Sequence, residues 1–93
     1  MTSNFVYREH NDADAYGDET LELYEERADA IAHLKSRVET KLGMPWEKAQ
    51  GWILDRDPLN SCDEDYVSIG DFPDGVQYFI VTEEKVRPAS CLV

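Results

Sequence analysis

Cysteine and histidine are almost missing from this chain: Cys62, Cys91, His10 and His33 are all it has. Neither cysteine has a second Cys or a His at metal-site spacing, which excludes the zinc-ribbon and zinc-finger classes. A zinc site would need both histidine rings plus carboxylates brought together from separate elements. There is no Gly-rich phosphate loop, no Cys–His or Ser–His pairing signature and no cofactor fingerprint. The expectation is therefore a protein that is not an enzyme and takes no cofactor. No apolar run approaches the length of a membrane span. The start, Met1-Thr2-Ser3-Asn4, has neither a basic nor an apolar leader region, so a cytoplasmic protein with two free thiols is expected.

Basic residues are also scarce. Nine Lys and Arg stand against 20 Asp and Glu, a formal net charge of −11. The imbalance is concentrated. Residues 1–35 hold nine acids and three bases, and residues 55–75 hold seven acids and one base, so each segment nets −6. Such a chain repels nucleic acid and anionic membrane directly and attracts basic protein surfaces. Disorder is not implied, because 42% of the residues are hydrophobic and ten are aromatic. At 93 residues the chain is one domain.

The hydrophobic periodicity predicts an α+β fold, a four-stranded antiparallel sheet in ββαββ order with one helix packed on one face. Phe5–His10 reads as the first strand and Asn11–Glu19 as a loop. Thr20–Tyr24 alternates, placing Leu21 and Leu23 on one half-buried face, expected to meet the helix. Ile31, Leu34, Val38 and Leu42 recur at helical spacing, and Gly43 and Pro45 end that helix. Pro45–Gln50 suggests one more helical turn, closed by Gly51. Asp55–Asp65 reads as a loop and Asp65–Ile69 as the third strand. Asp71–Gly75 is a hairpin loop, and Val76–Thr82, lacking a polar face, is the central strand.

Asp12, Asp14 and Gly17 match part of a calcium loop. Tyr16 stands at its fifth position and Leu23 at its twelfth, where a bidentate Glu is required, so a solvated acidic loop is the expectation. His33, four residues after Asp29, reads as a surface pair. Trp46 and Trp52 suit the core, with an interface role as the alternative. Acids at alternate positions (Asp12/Asp14, Asp55/Asp57, Asp63/Asp65) lie about 7 Å apart in extended chain, close to phosphate spacing along a nucleic-acid strand. The candidate partner-binding set is Asp12, Asp14, Asp18, Glu19, Asp55, Asp57, Asp63, Glu64 and Asp65. A linker returning to the first loop would gather both acidic segments at one end of the molecule.

In size, acidity, element order and lack of an enzyme signature, the chain resembles the small acidic accessory proteins of phages and mobile elements, anti-CRISPR proteins among them. The resemblance spans the whole chain and rests on no motif, so it transfers no functional residue. It implies an inhibitor or adaptor that mimics nucleic acid and occupies the basic groove of a nucleic-acid-binding protein. The alternatives are an interaction domain binding through an apolar surface, with Trp46 or Trp52 as anchors, and a divalent-metal-responsive module.

Overall fold

A computed structural model describes residues 3–13, 19–72 and 74–85. The order is β1 (Ser3–Asn11), β2 (Thr20–Tyr24), α1 (Arg27–Leu42), α2 (Trp46–Arg56), β3 (Ser61–Asp63), β4 (Tyr66–Ile69) and β5 (Gln77–Lys85). The strands form one antiparallel sheet in the order β2-β1-β5-β4-β3. The fold is α+β, but five strands and two helices replace the expected four strands and one helix. None of these helices is long and apolar enough to cross a membrane.

α1 follows its periodicity. Ala30, Ile31, Leu34 and Val38 are buried, and Leu42 packs at the margin of the same core. Gly43 takes a left-handed φ of 68°, and its amide donates to the Glu39 carbonyl, a C-terminal stop that glycine adopts at no steric cost. The Glu39 carboxylate then accepts the Trp46 amide at 2.8 Å, at the N-terminus of α2. Pro45 is the residue before that helix rather than its first member. Gly51 does not end it. A glycine inside a helix costs about 1 kcal/mol, but Ala49 and Ile53, one turn apart and fully buried, hold the helix to the core across it.

The second departure is β3, in a segment that reads as loop. It is three residues long, and only Cys62 in it packs against the core. Its position is set by Asn60, buried between α2 and the sheet. That side chain donates to the Ile53 carbonyl and accepts the Gly70 amide, both at 2.9 Å.

The register settles which side of each strand meets the helices. Tyr7, Phe79, Val67 and Ile69 lie on that side with Val81, and the helical residues cover them. On β2 the leucines point the other way. Leu23 stands opposite Val6 and Leu21 opposite Arg8, whereas Tyr24, opposite Phe5, faces the helices. The expected contact of Leu21 and Leu23 with α1 is therefore overturned. β5 is the middle strand, as its composition suggested, but only one of its sides is sealed: Tyr78 and Ile80 are half-buried.

Candidate functional site

The side of the sheet away from the helices is the unusual surface. An antiparallel sheet packed on one side normally alternates apolar inward and polar outward. Here the outward positions carry Leu21 and Leu23 on β2, Val6 on β1, Tyr78 and Ile80 on β5, and Tyr66 on β4. Leu21 is 54% exposed and Leu23 71%. His10 stacks on its cross-strand partner Tyr78 with centroids 4.9 Å apart, and Tyr66 meets Tyr78 edge-on at 6.4 Å. Arg8 crosses the middle of the face, bonded to Glu84 at 2.8 Å and close to Glu19 at 3.6 Å. The result is a band of aliphatic and aromatic side chains with acids at its margin. Arg8 stands between Leu21 and Ile80, and Val6, beside Leu23, is only 3% exposed, so the exposed apolar side chains of β2 and of β5 and β4 flank a charged centre. Clustered apolar exposure on one face marks interaction sites more often than singly scattered leucines do.

The sequence-derived acidic residues are spread around the molecule. Asp14 and Asp18 lie outside the described residues, as do the third to seventh positions of the calcium-like loop. Asp12 is tied into the β4–β5 loop: its carboxylate accepts the Val76 amide, and its own amide donates to the Val76 carbonyl. Asp57 closes its own turn by accepting the Leu59 amide at 2.9 Å. It also lines a shallow cleft of about 250 Å³ with Asn60, Asp71 and Val76. Asp12 and Asp57 thus share one end of the sheet. The Asp63–Tyr66 hairpin points toward the start of α1, where Arg27 lies 3.4 Å from both Glu64 and Asp65. Among the described acids, the expected gathering at one end holds for Asp12 and Asp57 but not for Glu64 and Asp65. Glu19 pairs with Arg8 and approaches His10 at 3.7 Å, while Asp55 and Asp63 are exposed. Among the described residues no three His, Cys, Asp or Glu side chains are grouped as metal ligands.

Trp46 and Trp52 stand on α2. Both are half-buried against the core, with Lys35 over Trp46 and Arg56 over Trp52 at 5.6 and 4.9 Å from the ring centroids. Cys62 is a free thiol on the helix-facing side; burial, with Asp63 beside it, pushes it up to about 11, so it is a poor nucleophile at neutral pH. Cys91 lies outside the described residues.

One buried polar cluster went unread in the sequence. Glu9 is 8% exposed beneath α1. Its carboxylate accepts the Tyr7 hydroxyl at 2.6 Å and the Arg37 guanidinium at 2.8 and 3.1 Å, with Lys41 at 3.9 Å. Burial alone would push this carboxyl up. The hydrogen bonds from Arg37 and Tyr7 and the charges of Arg37 and Lys41 outweigh burial and hold it below its ordinary value. Tyr7 is pushed far up by burial and by the adjoining carboxylate, so it stays a donor. The His33 ring lies tilted against Tyr7, centroids 4.5 Å apart, and hydrogen-bonds the Tyr24 hydroxyl through Nδ1, in place of the expected Asp29 pair. The cluster joins α1 to β1 and β2. Its chemistry is that of a fastening, since each charge is already satisfied inside the fold.

Comparison with known protein families, characterised proteins and solved structures finds no match to this chain. The functional reading therefore rests on the geometry of the sheet face and the distribution of charge.

Proposed function

We propose that the protein is a binding domain, an adaptor or inhibitor, that docks on another protein through the helix-free side of its sheet. The observation that supports this most is the exposure of Leu21 and Leu23 next to the apolar band of β1, β5 and β4. Burying what is still exposed of the two leucines contributes roughly 1–2 kcal/mol each, enough to help anchor an interface. The net charge of −11 selects among partners: an apolar patch with a lysine- or arginine-rich margin is attracted, and acidic surfaces and nucleic acid are repelled. Basic effectors that handle nucleic acid fit this description, with the acids acting as a steering margin around the apolar centre.

The test compares three immobilised proteins in a cell lysate: the natural chain, a Leu21→Asp/Leu23→Asp variant, and a Leu54→Asp/Leu59→Asp variant. Leu54 and Leu59 are 50% and 87% exposed, away from the open sheet face, so they control for exposed leucine as such. Proteins retained by the natural chain should also be retained by the Leu54/Leu59 variant. They should lose about tenfold or more in affinity for the Leu21/Leu23 variant. Equal retention by all three would sink the reading.

A further inference from the structure

Resting on that docking role, we propose that the partner binds as an extended basic strand added to the outer edge of β2, its apolar residues against Leu21 and Leu23 and its lysine or arginine residues beside Glu22. β2 ends the sheet, and among the described residues nothing pairs with its outer edge. In an antiparallel ladder, alternate residues aim both N–H and C=O at the same neighbour. Half of β2 therefore presents backbone donors and acceptors outward, which is a template for another strand. Thr20, Leu21, Glu22 and Leu23 are all exposed. The opposite edge offers less, because β3 has only three residues.

The side chains specify what is added. A new strand alternates in step with β2, so one of its faces continues the apolar band past Leu21 and Leu23. Its other face meets Glu22. From residue 19 to residue 26 the chain carries Glu19, Glu22, Glu25 and Glu26 and no lysine or arginine. Arg27, the next cation, lies against Glu64 and Asp65. This edge is anionic, and alternating apolar and basic residues complement it in both respects.

A second copy of the chain does not. Antiparallel self-pairing centred on Glu22 sets that carboxylate against its own equivalent, and pairing centred on Leu23 sets Leu21 against Glu25. Like charges directly opposite are destabilising, and a charge of −11 on each copy adds long-range repulsion. The same glutamate that admits a basic strand discourages sheet-to-sheet aggregation at an otherwise open edge.

The probe is a blocked peptide of alternating lysine and valine, KVKVKVKVK, added to the full-length chain and followed by amide-resolved NMR. The expected result is slowed hydrogen exchange at alternate residues of 20–24. Affinity should fall at least about fivefold between roughly 0.05 and 0.5 M sodium chloride. N-methylation of the valine amides in one peptide, and of the lysine amides in a second, removes the two sets of donors separately. One of the two peptides should bind about tenfold more weakly with charge unchanged. Glu22→Lys should weaken the unmodified peptide about fivefold as well.

No protection of β2 at about 2 mM peptide, or equal binding by both N-methylated peptides, would overturn strand addition. In that event the docking role survives if the Leu21/Leu23 variant still loses its captured partners. Protection of β2 by the peptide with unchanged capture would count against the docking role alone.

Discussion

Leu34→Ala is expected to lower the free energy of unfolding by about 3–4 kcal/mol, whereas Leu23→Ala changes it by less than about 0.5 kcal/mol. Leu34 is fully buried in the middle of α1, inside the cluster that includes Tyr7, Val67, Ile69 and Phe79. Truncation there removes transfer energy and leaves a cavity that packed neighbours only partly fill. Leu23, on the opposite side of the sheet, already lies mostly in water. A domain of this size has a total stability of about 5–15 kcal/mol, so the first change consumes a large share of it and shows plainly in urea denaturation. Comparable losses at the two leucines would mean that the sides of the sheet are assigned the wrong way round.

Arg37→Met should cost about 2–3 kcal/mol at neutral pH, with a pH signature that separates it from ordinary packing loss. It strips the Glu9 carboxylate of two hydrogen bonds and its nearest positive charge, leaving the Tyr7 hydroxyl and a more distant Lys41. Removing one partner from a fully buried ion pair costs about 3–5 kcal/mol; Arg37 is 37% exposed, so solvent softens the loss. The folded state holds the Glu9 carboxyl below its ordinary value, so this pairing stabilises the fold above the unfolded pKa of about 4.3. It is lost as pH falls through the lower folded value. The gap between the natural chain and Arg37→Met should therefore be constant from about pH 6 to 8 and close below about pH 4. Glu9→Met/Arg37→Met should recover part of the stability, because no buried charge is left behind while the buried Tyr7 hydroxyl loses its acceptor. A gap that persists unchanged to about pH 3 would remove Glu9 from the explanation.

α1 is legible in the sequence because two independent signals coincide: the spacing of Ile31, Leu34 and Val38, and the Gly43–Pro45 stop. α2 is longer than its sequence suggests because glycine is a local penalty, while the burial of Ala49 and Ile53 that offsets it is tertiary. β3 was invisible, since a three-residue edge strand fixed by Asn60 has no periodicity to detect. The error that matters for function concerns β2. Alternation shows that Leu21 and Leu23 share a side, but it cannot say which side. That depends on the register with β1, and on Tyr24 taking the helix-facing position beside His33. A signal was available nonetheless: Tyr78-Phe79-Ile80-Val81 has no polar side, and helices on one face of a sheet cover only one of its two. The apolar surplus on the other side is the proposed docking surface. The acids, which dominate the composition, turn out to be spread over both ends of the sheet and are partly engaged in turns and ion pairs.

The claim that the helix-free side of the sheet is the docking surface is tested most directly by methyl-resolved NMR, with a captured partner titrated into the labelled chain. The methyl signals of Leu21, Leu23 and Ile80 should shift or broaden together, while those of Leu54 and Leu59 stay in place. Shifts confined to Leu54 and Leu59, with Leu21 and Leu23 unmoved at saturation, would contradict it.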